Sequence, residues 1–394
     1  MKILRVVSSM NPRLGGVVAA VDYAAKSLNK SKHYNVEVVC LDNPRDIWVK
    51  ESDYCIHAVG GRATAYSISL PFLKWSVRNF KNYDFIVVDG LWRFVSVAGF
   101  LAKILGVKYA VMPHGMLDPY FKNNFISYLK KIPFWLFVDG PSIALSDFLL
   151  FTCEEEKRLS QKSYPVYKFD SRIARLGFDF SSYGGFSHAD GVMFESEFKL
   201  QAKKVFLFVG RIDPKKGVDI LIDSVALCRS VIDESVFVIA GPGDSDYLES
   251  LNLRAMALGI SDNIVWAGML DGEMKWSAYR RADYFVLPSH QENYGIVNVE
   301  ALATETPVLI TDKINIHKEI LASSAGYVSN DDANSFSEIL YRAILEDRES
   351  YGLKKKNALN CYKQNFSDDA FLSDYDLLRG ELEKNESGHS DISL

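Results

Sequence analysis

The stretch YFVLPSHQENYGIVNVE, residues 284–300, opens with an apolar strand-like run, stops at Pro288 and resumes with helical spacing after Gly295. Glu292 lies in the loop ahead of the helix start, and Glu300 lies about one turn inside the helix. A helix start presents unpaired N–H groups and partial positive charge, and a glycine lets a ligand approach the backbone closely. The stretch therefore predicts a strand, a loop and an anion-binding helix start. The alternative is an ordinary strand-to-helix unit with two surface glutamates.

Length and composition describe a globular chain. Its 394 residues are too many for one ordinary core and suit two domains. Hydrophobic residues make up 48% and charged residues 24%, and a net charge of −5 does not support general nucleic-acid binding. The N-terminus is quickly polar and no apolar run approaches about 18 residues, so we expect a cytoplasmic protein without signal peptide or membrane span.

The cysteines argue against disulfides and against a zinc site. They are scattered, odd in number and without C-x-x-C spacing, which predicts buried free thiols in a reducing compartment. They are Cys40, Cys55, Cys153, Cys228 and Cys361.

Strand-like and helical segments alternate along the chain, which is typical of parallel sheets covered by helices on both faces. Seven strand-like segments fall within residues 3–176 and six within residues 205–328. Residues 180–199, rich in Gly, Ser and aromatic residues, are typical of a linker. The glycines after the first strand do not form G-x-G-x-x-G, which disfavours a dinucleotide-binding oxidoreductase.

We therefore predict an α/β protein with two Rossmann-like domains, residues 1–185 and residues 186–365. Two helical segments follow the second series of strands, at residues 334–364 and 368–384. The polar end of the chain, residues 386–394, is predicted to be disordered.

Two basic residues follow the first strand of the predicted second domain. The segment VGRIDPKKG, residues 209–217, places Arg211 and Lys216 around a Pro-containing turn, where two cations suit a diphosphate. A solvated basic turn is the alternative.

The next strand leads into AGPGDSD, residues 240–246, which contains a D-x-D sequence. We interpret residues 244–246 as a helix N-cap and not as a metal site, because Ser and Asp favour that position.

A histidine follows a strand of the first domain. In PHGMLDPY, residues 113–120, His114 precedes Gly115, which permits a close backbone approach. A purely structural histidine is the alternative.

Taken together, and in their order along the chain, the motifs resemble those of the retaining GT-B glycosyltransferases of the glycosyl transferases group 1 family. The matching elements are E-x7-E (Glu292, Glu300), G-R-x-x-x-x-K-G (Gly210, Arg211, Lys216), G-x-G (Gly243), H-G (His114) and the N-terminal glycine loop (Gly15, Gly16). PHGMLDPY resembles bacterial polysaccharide-assembly members in particular. The resemblance implies two domains facing across a deep cleft, with the last helix, at about residues 366–385, packing back on the N-terminal acceptor domain. One departure is Arg175–Asp179, which keeps only the Gly and the Asp of the family's P-N-G-[IV]-D.

The resemblance also implies a role for each matching residue in the second, donor domain. Arg211 and Lys216 hold the donor diphosphate and stabilise the leaving group, Glu292 binds hydroxyls of the transferred sugar, and Glu300 binds the ribose. The other implied donor-binding positions are Gly15, Gly16, Gly210, Gly243, Met269, Leu270, Tyr294, Gly295, Ile296 and Val297. For the side chains of Met269 and Leu270, core packing is an equally good reading.

In the first domain, the resemblance makes His114 a catalytic residue that hydrogen-bonds the sugar and places Asp118 on the acceptor side. It implies no metal and no cofactor beyond the substrate nucleotide sugar. No carboxylate stands out as a covalent nucleophile, so front-side attack assisted by the leaving phosphate is the preferred mechanism.

The implied activity is transfer of a hexose from a nucleotide-diphosphate sugar, UDP-linked in preference to GDP-linked, to a saccharide or lipid-linked saccharide. Alternatives are a GDP-mannose-dependent mannosyltransferase, a GT-B sugar-nucleotide epimerase and a non-enzymatic sugar-nucleotide binding protein. Aromatic and basic residues within 72–81 and 121–137 suit peripheral contact with the inner face of the membrane. Ordinary helix packing explains these residues as well.

Overall fold

The computed structural model describes residues 1–61, 68–122, 125–163, 168–180, 190–201 and 203–387; the side chains of residues 121–127 and 385–387 lie outside this description. The chain forms two compact units. The first is Met1–Gly177 together with the segment from Asp368 onward, and the second is Phe178–Ser367. The division therefore falls earlier than residue 185.

The first unit is built on a parallel sheet with the strand order β3-β2-β1-β4-β5-β6-β7. Its strands are β1 (Lys2–Val6), β2 (Asn35–Cys40), β3 (Ile56–Ala58), β4 (Phe85–Asp89), β5 (Lys108–Met112), β6 (Phe148–Phe151) and β7 (Ser171–Ile173). The helices between them are α1 (Gly16–Lys30), α2 (Ile47–Lys50), α3 (Leu70–Asn79), α4 (Ala98–Leu105), α5 (Phe125–Phe134), α6 (Gly140–Ala144) and α7 (Glu154–Ser160). A π-helical turn, Trp135–Asp139, joins α5 to α6.

The strands of this sheet are apolar on both faces, as strands covered by helices on two sides must be. Ile3 packs into the core on one face, while its neighbour Leu4 packs into the core on the other. The same alternation places Val38 and Val39 of β2 in opposite cores.

The second unit repeats the architecture, with the strand order β10-β9-β8-β11-β12-β13, all parallel. Its strands are β8 (Lys204–Val209), β9 (Ser235–Ala240), β10 (Ile264–Gly268), β11 (Tyr284–Leu287), β12 (Val308–Thr311) and β13 (Gly326–Ser329). Its helices are α8 (Val192–Phe198), α9 (Val218–Leu227), α10 (Ser245–Ala257), α11 (Gly272–Arg281), α12 (Ile296–Ala303), α13 (His317–Ala322), α14 (Ala333–Ile344) and α15 (Arg348–Asn365). The seven and six predicted strands are thus all present.

The predicted linker at residues 180–199 is wrong in its last part. Helix α8 occupies Val192–Phe198, because the apolar residues of VMFESEF bury Phe194 completely. Residues 181–189 of the predicted linker lie outside the described residues.

The last helix, α16 (Asp368–Ser387), belongs to the first unit. Its buried residues Phe371, Tyr375, Leu378 and Leu382 join the core that contains Ile3 and Val38. Asp374 binds the Arg175 guanidinium at 2.8 Å, which anchors the helix to the segment after β7. The helix extends to Ser387, past the predicted start of the disordered tail at residue 386, and residues 388–394 lie outside the described part of the chain.

The aromatic and basic segments of the first unit divide into buried and exposed parts. Phe72 and Trp135 are buried in the core, so a membrane-facing role is wrong for both. Leu129, Leu136 and Phe137 are exposed, and Lys130 is exposed beside them. None of the helices in the described residues is both long and apolar enough to cross a bilayer.

Candidate active site

The helix start predicted after Gly295 is present, and its geometry requires glycine. Gly295 has φ of 63°, in the left-handed region. A Cβ added there would lie 2.6 Å from Nδ2 of Asn298 and 3.0 Å from Cγ of Glu292. Backbone hydrogen bonds of 3.0 Å from Glu292 N–H to the Lys313 carbonyl, and from Asn315 N–H to the Glu292 carbonyl, hold the preceding loop. These hydrogen bonds and close contacts hold the loop against the start of the helix.

Lys216 and Glu292 form an ion pair that joins the basic turn to this loop. The lysine Nζ donates to Oε2 of Glu292, and the two side chains are 15% and 19% exposed. A Cβ on Gly217 would lie 2.0 Å from the Pro288 carbonyl oxygen, so the chain after Lys216 passes directly against the loop after β11. The reading of Glu292 as a surface glutamate is wrong, since it sits in a partly buried charge pair.

Arg211 is the second cation of the basic turn, and its side chain is 76% exposed. Its guanidinium lies 3.8 Å from Oδ2 of Asp213, a loose contact that leaves it able to turn toward an anion.

Gly210 and Gly243 allow the loops after β8 and β9 to pack together. The Gly210 N–H donates to the Ala240 carbonyl at 3.0 Å. A Cβ on Gly243 would lie 2.9 Å from the Ile212 carbonyl oxygen.

The D-x-D sequence is confirmed as a helix cap. Oδ1 of Asp244 accepts from the N–H groups of Asp246 and Tyr247 at 3.1 and 3.2 Å, at the start of α10.

Glu300 is buried, with only 5% of its surface exposed, so the surface reading is wrong for this residue too. Oε1 accepts from Nζ of Lys275 at 2.7 Å and Oε2 accepts from the Tyr279 hydroxyl at 2.7 Å. Burial and the neighbouring Glu300 charge raise the pKa of Tyr279, so this hydroxyl stays protonated as a donor. Each carboxylate oxygen retains further acceptor capacity for a ligand hydroxyl.

The other predicted donor-binding positions differ in exposure. Met269 follows β10 and is 72% exposed, so the core-packing reading is wrong for it, whereas Leu270 is half-buried. Tyr294 is buried, its ring set edge-on to Phe366 at 5.7 Å, which leaves backbone groups as its means of contact with a ligand. Ile296 is 44% exposed at the helix start.

Two further polar residues of this stretch were missed by the sequence reading. Asn298 is fully buried, and neither Oδ1 nor Nδ2 has a hydrogen-bond partner within the described protein. The buried hydroxyl of Ser289 likewise has no partner there. Buried polar atoms are normally paired, so both point to a ligand or water beside the helix start. In the sequence, the feature that could have indicated Asn298 is its polar amide side chain between the apolar residues Val297 and Val299.

In the first unit, His114 has an uncommon backbone conformation, with φ of 52°, and its side chain is 4% exposed. Its Nε2 lies 2.7 Å from Oδ1 of Asp89 at the end of β4. The Arg5 guanidinium binds both oxygens of the same carboxylate and donates to the Tyr375 hydroxyl at 2.8 Å. Burial favours the neutral acid, but Arg5 and His114 outweigh it and hold the pKa of Asp89 below its usual value. An ionised Asp89 accepts a hydrogen bond from Nε2 of His114, so Nδ1 is the ring nitrogen that remains for a ligand.

The remaining first-unit candidates lie in two turns. The carboxylate of Asp118 accepts from the Tyr120 N–H at 2.8 Å within its own turn. Gly15 and Gly16 begin α1, and a Cβ at either position would meet no atom within 4 Å, so open space lies in front of this backbone.

Comparison with known proteins finds matches to glycosyltransferases. Residues 192–362 match the model of the family described as Glycosyl transferases group 1. The phosphatidyl-myo-inositol mannosyltransferase of Mycobacterium leprae is 31% identical over 164 residues, covering 40% of this chain and 42% of that protein. Alignments with curated relatives of this kind span between 25% and 57% of the relatives' lengths.

Solved structures match over nearly the whole chain. HepE from Anabaena in complex with UDP gives a TM-score of 0.76 at 16% identity, covering 96% of this chain and 100% of that one. WaaG, a glycosyltransferase involved in lipopolysaccharide biosynthesis, gives 0.64 at 16% identity, covering 95% and 98%. The fold is therefore the two-unit α/β fold of the GT-B glycosyltransferases, as predicted. The match to the glycosyl transferases group 1 family is confined to residues 192–362, which make up most of the second unit.

Proposed function

We propose that this protein is a retaining, metal-independent glycosyltransferase. It moves a hexose from a nucleotide-diphosphate sugar, UDP-linked in preference to GDP-linked, to a hydroxyl of a saccharide or lipid-linked saccharide. The observation that carries the proposal is the Lys216–Glu292 ion pair beside the Gly295 helix start, with the exposed cation of Arg211 on the same basic turn.

This group of residues suits a sugar diphosphate. On binding, Lys216 exchanges its carboxylate partner for phosphate oxygens, and Glu292 becomes available to sugar hydroxyls. The first N–H groups of α12 have no partner within the helix and favour the same anion. A unit charge pair at about 4 Å contributes roughly 4 kcal/mol at an effective dielectric near 20, so Arg211 and Lys216 supply a substantial stabilisation of the leaving diphosphate.

Glu300 is proposed as the ribose ligand. Its carboxylate is held by Lys275 and Tyr279, so it meets a vicinal diol without side-chain rearrangement. Asn298 joins the proposed donor site because its unpaired amide lies against the helix start, where Nδ2 can donate to a phosphate or sugar oxygen.

The proposed reaction is a front-side displacement. The acceptor hydroxyl oxygen forms a bond to the anomeric carbon while the bond from that carbon to the phosphate oxygen breaks. The electron pair leaves with the nucleoside diphosphate, and the hydroxyl proton passes to the departing phosphate oxygen. His114 accepts a hydrogen bond from a hydroxyl of the transferred sugar through Nδ1. A trapped glycosyl adduct on a side chain would overturn this mechanism.

The acceptor is proposed to belong to bacterial cell-surface or extracellular polysaccharide, with Asp118 on the acceptor side. Structural likeness to WaaG, involved in lipopolysaccharide biosynthesis, supports this role, and the complex of HepE with UDP supports a uridine nucleotide. The alternative of a mannosyl donor is favoured by the mannosyltransferase from Mycobacterium leprae.

Peripheral contact with the inner face of the membrane is proposed through the exposed residues Leu129, Lys130, Leu136 and Phe137, which combine apolar surface with positive charge. Removing the charges of Lys130 and Lys131 should abolish binding to anionic liposomes. Unchanged binding would contradict a membrane contact at this surface.

The direct test is binding and hydrolysis of a panel of UDP-, GDP- and ADP-sugars, with and without EDTA, by the wild type and Glu292→Ala. We expect selective binding of one donor and slow hydrolysis that EDTA does not affect and the variant loses. The exposed Glu273 at the start of α11 provides a matched control, Glu273→Ala, which should behave as wild type. Absence of binding to every donor would contradict the proposal.

A further inference from the structure

Three potential metal ligands meet at the edge of the first unit's sheet. Glu37 lies in β2, His57 lies in the edge strand β3, and Cys55 directly precedes β3. Side chains alternate along a strand, so Cys55 and His57 project to the same face. The pairing of Val38 with Ile56 sets Glu37 beside them on that face.

The ligand atoms are close enough to share one ion. Nε2 of His57 lies 3.5 Å from Sγ of Cys55 and 2.7 Å from Oε2 of Glu37. All three ligand atoms lie within 4.8 Å of one another. Among the residues that the structure describes, this is the one group of three or more His, Cys, Asp or Glu side chains that lie this close together. Sulfur and nitrogen ligands on one tetrahedral zinc ion lie about 3.5 Å apart, which matches Cys55 and His57. Nitrogen and oxygen ligands lie about 3.3 Å apart, so a bound ion replaces the 2.7 Å hydrogen bond between His57 and Glu37 and moves the two atoms apart by roughly 0.6 Å.

Neighbouring side chains already orient the carboxylate. The Tyr83 hydroxyl donates to Oε2 of Glu37 at 2.6 Å, and Nζ of Lys2 lies 2.8 Å from Oε1. The Trp75 ring packs against the His57 ring, with centroids 4.8 Å apart. Such outer contacts fix the direction of metal ligands.

We propose that Glu37, Cys55 and His57 bind a divalent zinc-type ion, with water in the fourth position. Oε2 of Glu37, Sγ of Cys55 and Nε2 of His57 are the ligands, and Lys2 keeps its contact with Oε1. The Cys55 thiol releases its proton to solvent as the thiolate binds. One carboxylate and one thiolate balance the charge of the ion. Cys55 is exposed, so the ion enters from solvent.

This site is separate from the proposed transfer chemistry and ties the edge strand β3 to β2. It also revises the expectation drawn from cysteine spacing. The ligand set is C-x-H on one strand plus a glutamate on its neighbour, a combination that only the strand register reveals.

The test is a Co²⁺ titration of the full reduced chain after treatment with chelator. Cobalt reports a bound thiolate through an intense near-ultraviolet charge-transfer band. We expect saturation at about one equivalent, displacement of the band by Zn²⁺, and a zinc-dependent rise in unfolding temperature. Cys55→Ser should lose the band, and His57→Ala should weaken binding about tenfold or more.

Matched controls separate this site from other thiols and histidines. His33→Ala removes an exposed histidine of the same unit, and Cys228→Ser removes a buried thiol of the second unit; both should bind Co²⁺ as wild type. Unfolding temperatures without metal establish that each variant is folded. No saturable Co²⁺ binding by the wild type, or a band that persists in Cys55→Ser, would overturn the proposal.

Discussion

Nε2 of His114 lies 2.7 Å from Oδ1 of Asp89, and the same carboxylate is bound by the buried guanidinium of Arg5. Arg5 in turn donates to the Tyr375 hydroxyl of α16. The conformation of the proposed catalytic histidine therefore depends on β1, on β4 and on the C-terminal helix of the same unit.

Asp89→Asn tests this network. The change leaves the buried Arg5 charge without a counter-charge, and breaking a buried pair from one side costs about 3–5 kcal/mol of unfolding free energy. Because the folded-state pKa of Asp89 is lowered, its stabilisation is present above about pH 4 and is lost as the pH falls below that value. Urea denaturation at several pH values measures the loss. With His114 no longer fixed, kcat should fall on the order of 10²-fold.

Tyr375→Phe is the control, because it removes one hydrogen bond from Arg5 and leaves the charges in place. It should cost about 1 kcal/mol. Equal stability of Asp89→Asn and wild type at neutral pH would show that the ion pair contributes nothing.

Arg211→Ala should impair transfer without affecting stability. The side chain is 76% exposed and makes only a loose contact with Asp213, so unfolding should be unchanged. Loss of one cation that stabilises the leaving diphosphate should lower kcat/KM by on the order of 10²-fold. Arg254→Ala is the matched control, since Arg254 pairs with Asp223 on the surface of the same unit. That variant should keep full activity; a similar activity loss in both variants would refute a specific role for Arg211.

Asn298→Leu should raise stability and weaken donor binding. Removing two buried unpaired polar atoms should stabilise the free protein by about 1–2 kcal/mol. A hydrogen bond to a charged phosphate is worth about 1.5–3 kcal/mol, so the donor Kd should rise roughly 10- to 100-fold. Thermal unfolding and calorimetric titration measure the two effects.

The control is Asn263→Leu. Nδ2 of Asn263 donates to the carbonyls of Ile232 and Ser235 at 3.0 and 3.1 Å, so the change should destabilise the protein and leave donor affinity intact. Unaltered donor affinity in Asn298→Leu would remove Asn298 from the proposed site.

Asp139 should change the stability with pH in the direction opposite to that expected for Asp89. It is buried in the π-helical turn, and burial raises its pKa to about 7, against the hydrogen bond of 3.0 Å that its Oδ2 accepts from the Trp92 N–H. The folded state therefore holds a proton that the unfolded state releases near pH 4, and stability should decline from about pH 4 to pH 7. Asp139→Asn keeps a neutral acceptor for Trp92 and should flatten this decline, by on the order of a few kcal/mol. Unfolding curves with the same pH slope in both proteins would contradict the assignment.

The strands were predictable from sequence because buried parallel strands are continuous apolar runs, such as SVFVIA in β9. Helix α8 was not, because Gly- and Ser-rich sequence precedes its single apolar turn. Within the site, the spacing of the glycines and the charged residues was sufficient to predict the candidate site residues. The burial of Asn298 and the proximity of Glu37 to His57 depend on packing and strand register, which one sequence does not specify.

The central claim is tested most directly by following the turnover of the selected sugar nucleotide by proton NMR. The account predicts release of nucleoside diphosphate together with a first-formed product that keeps the anomeric configuration of the donor, in wild type and not in Glu292→Ala. A product of inverted configuration, or no turnover of any donor by the wild type, would contradict it.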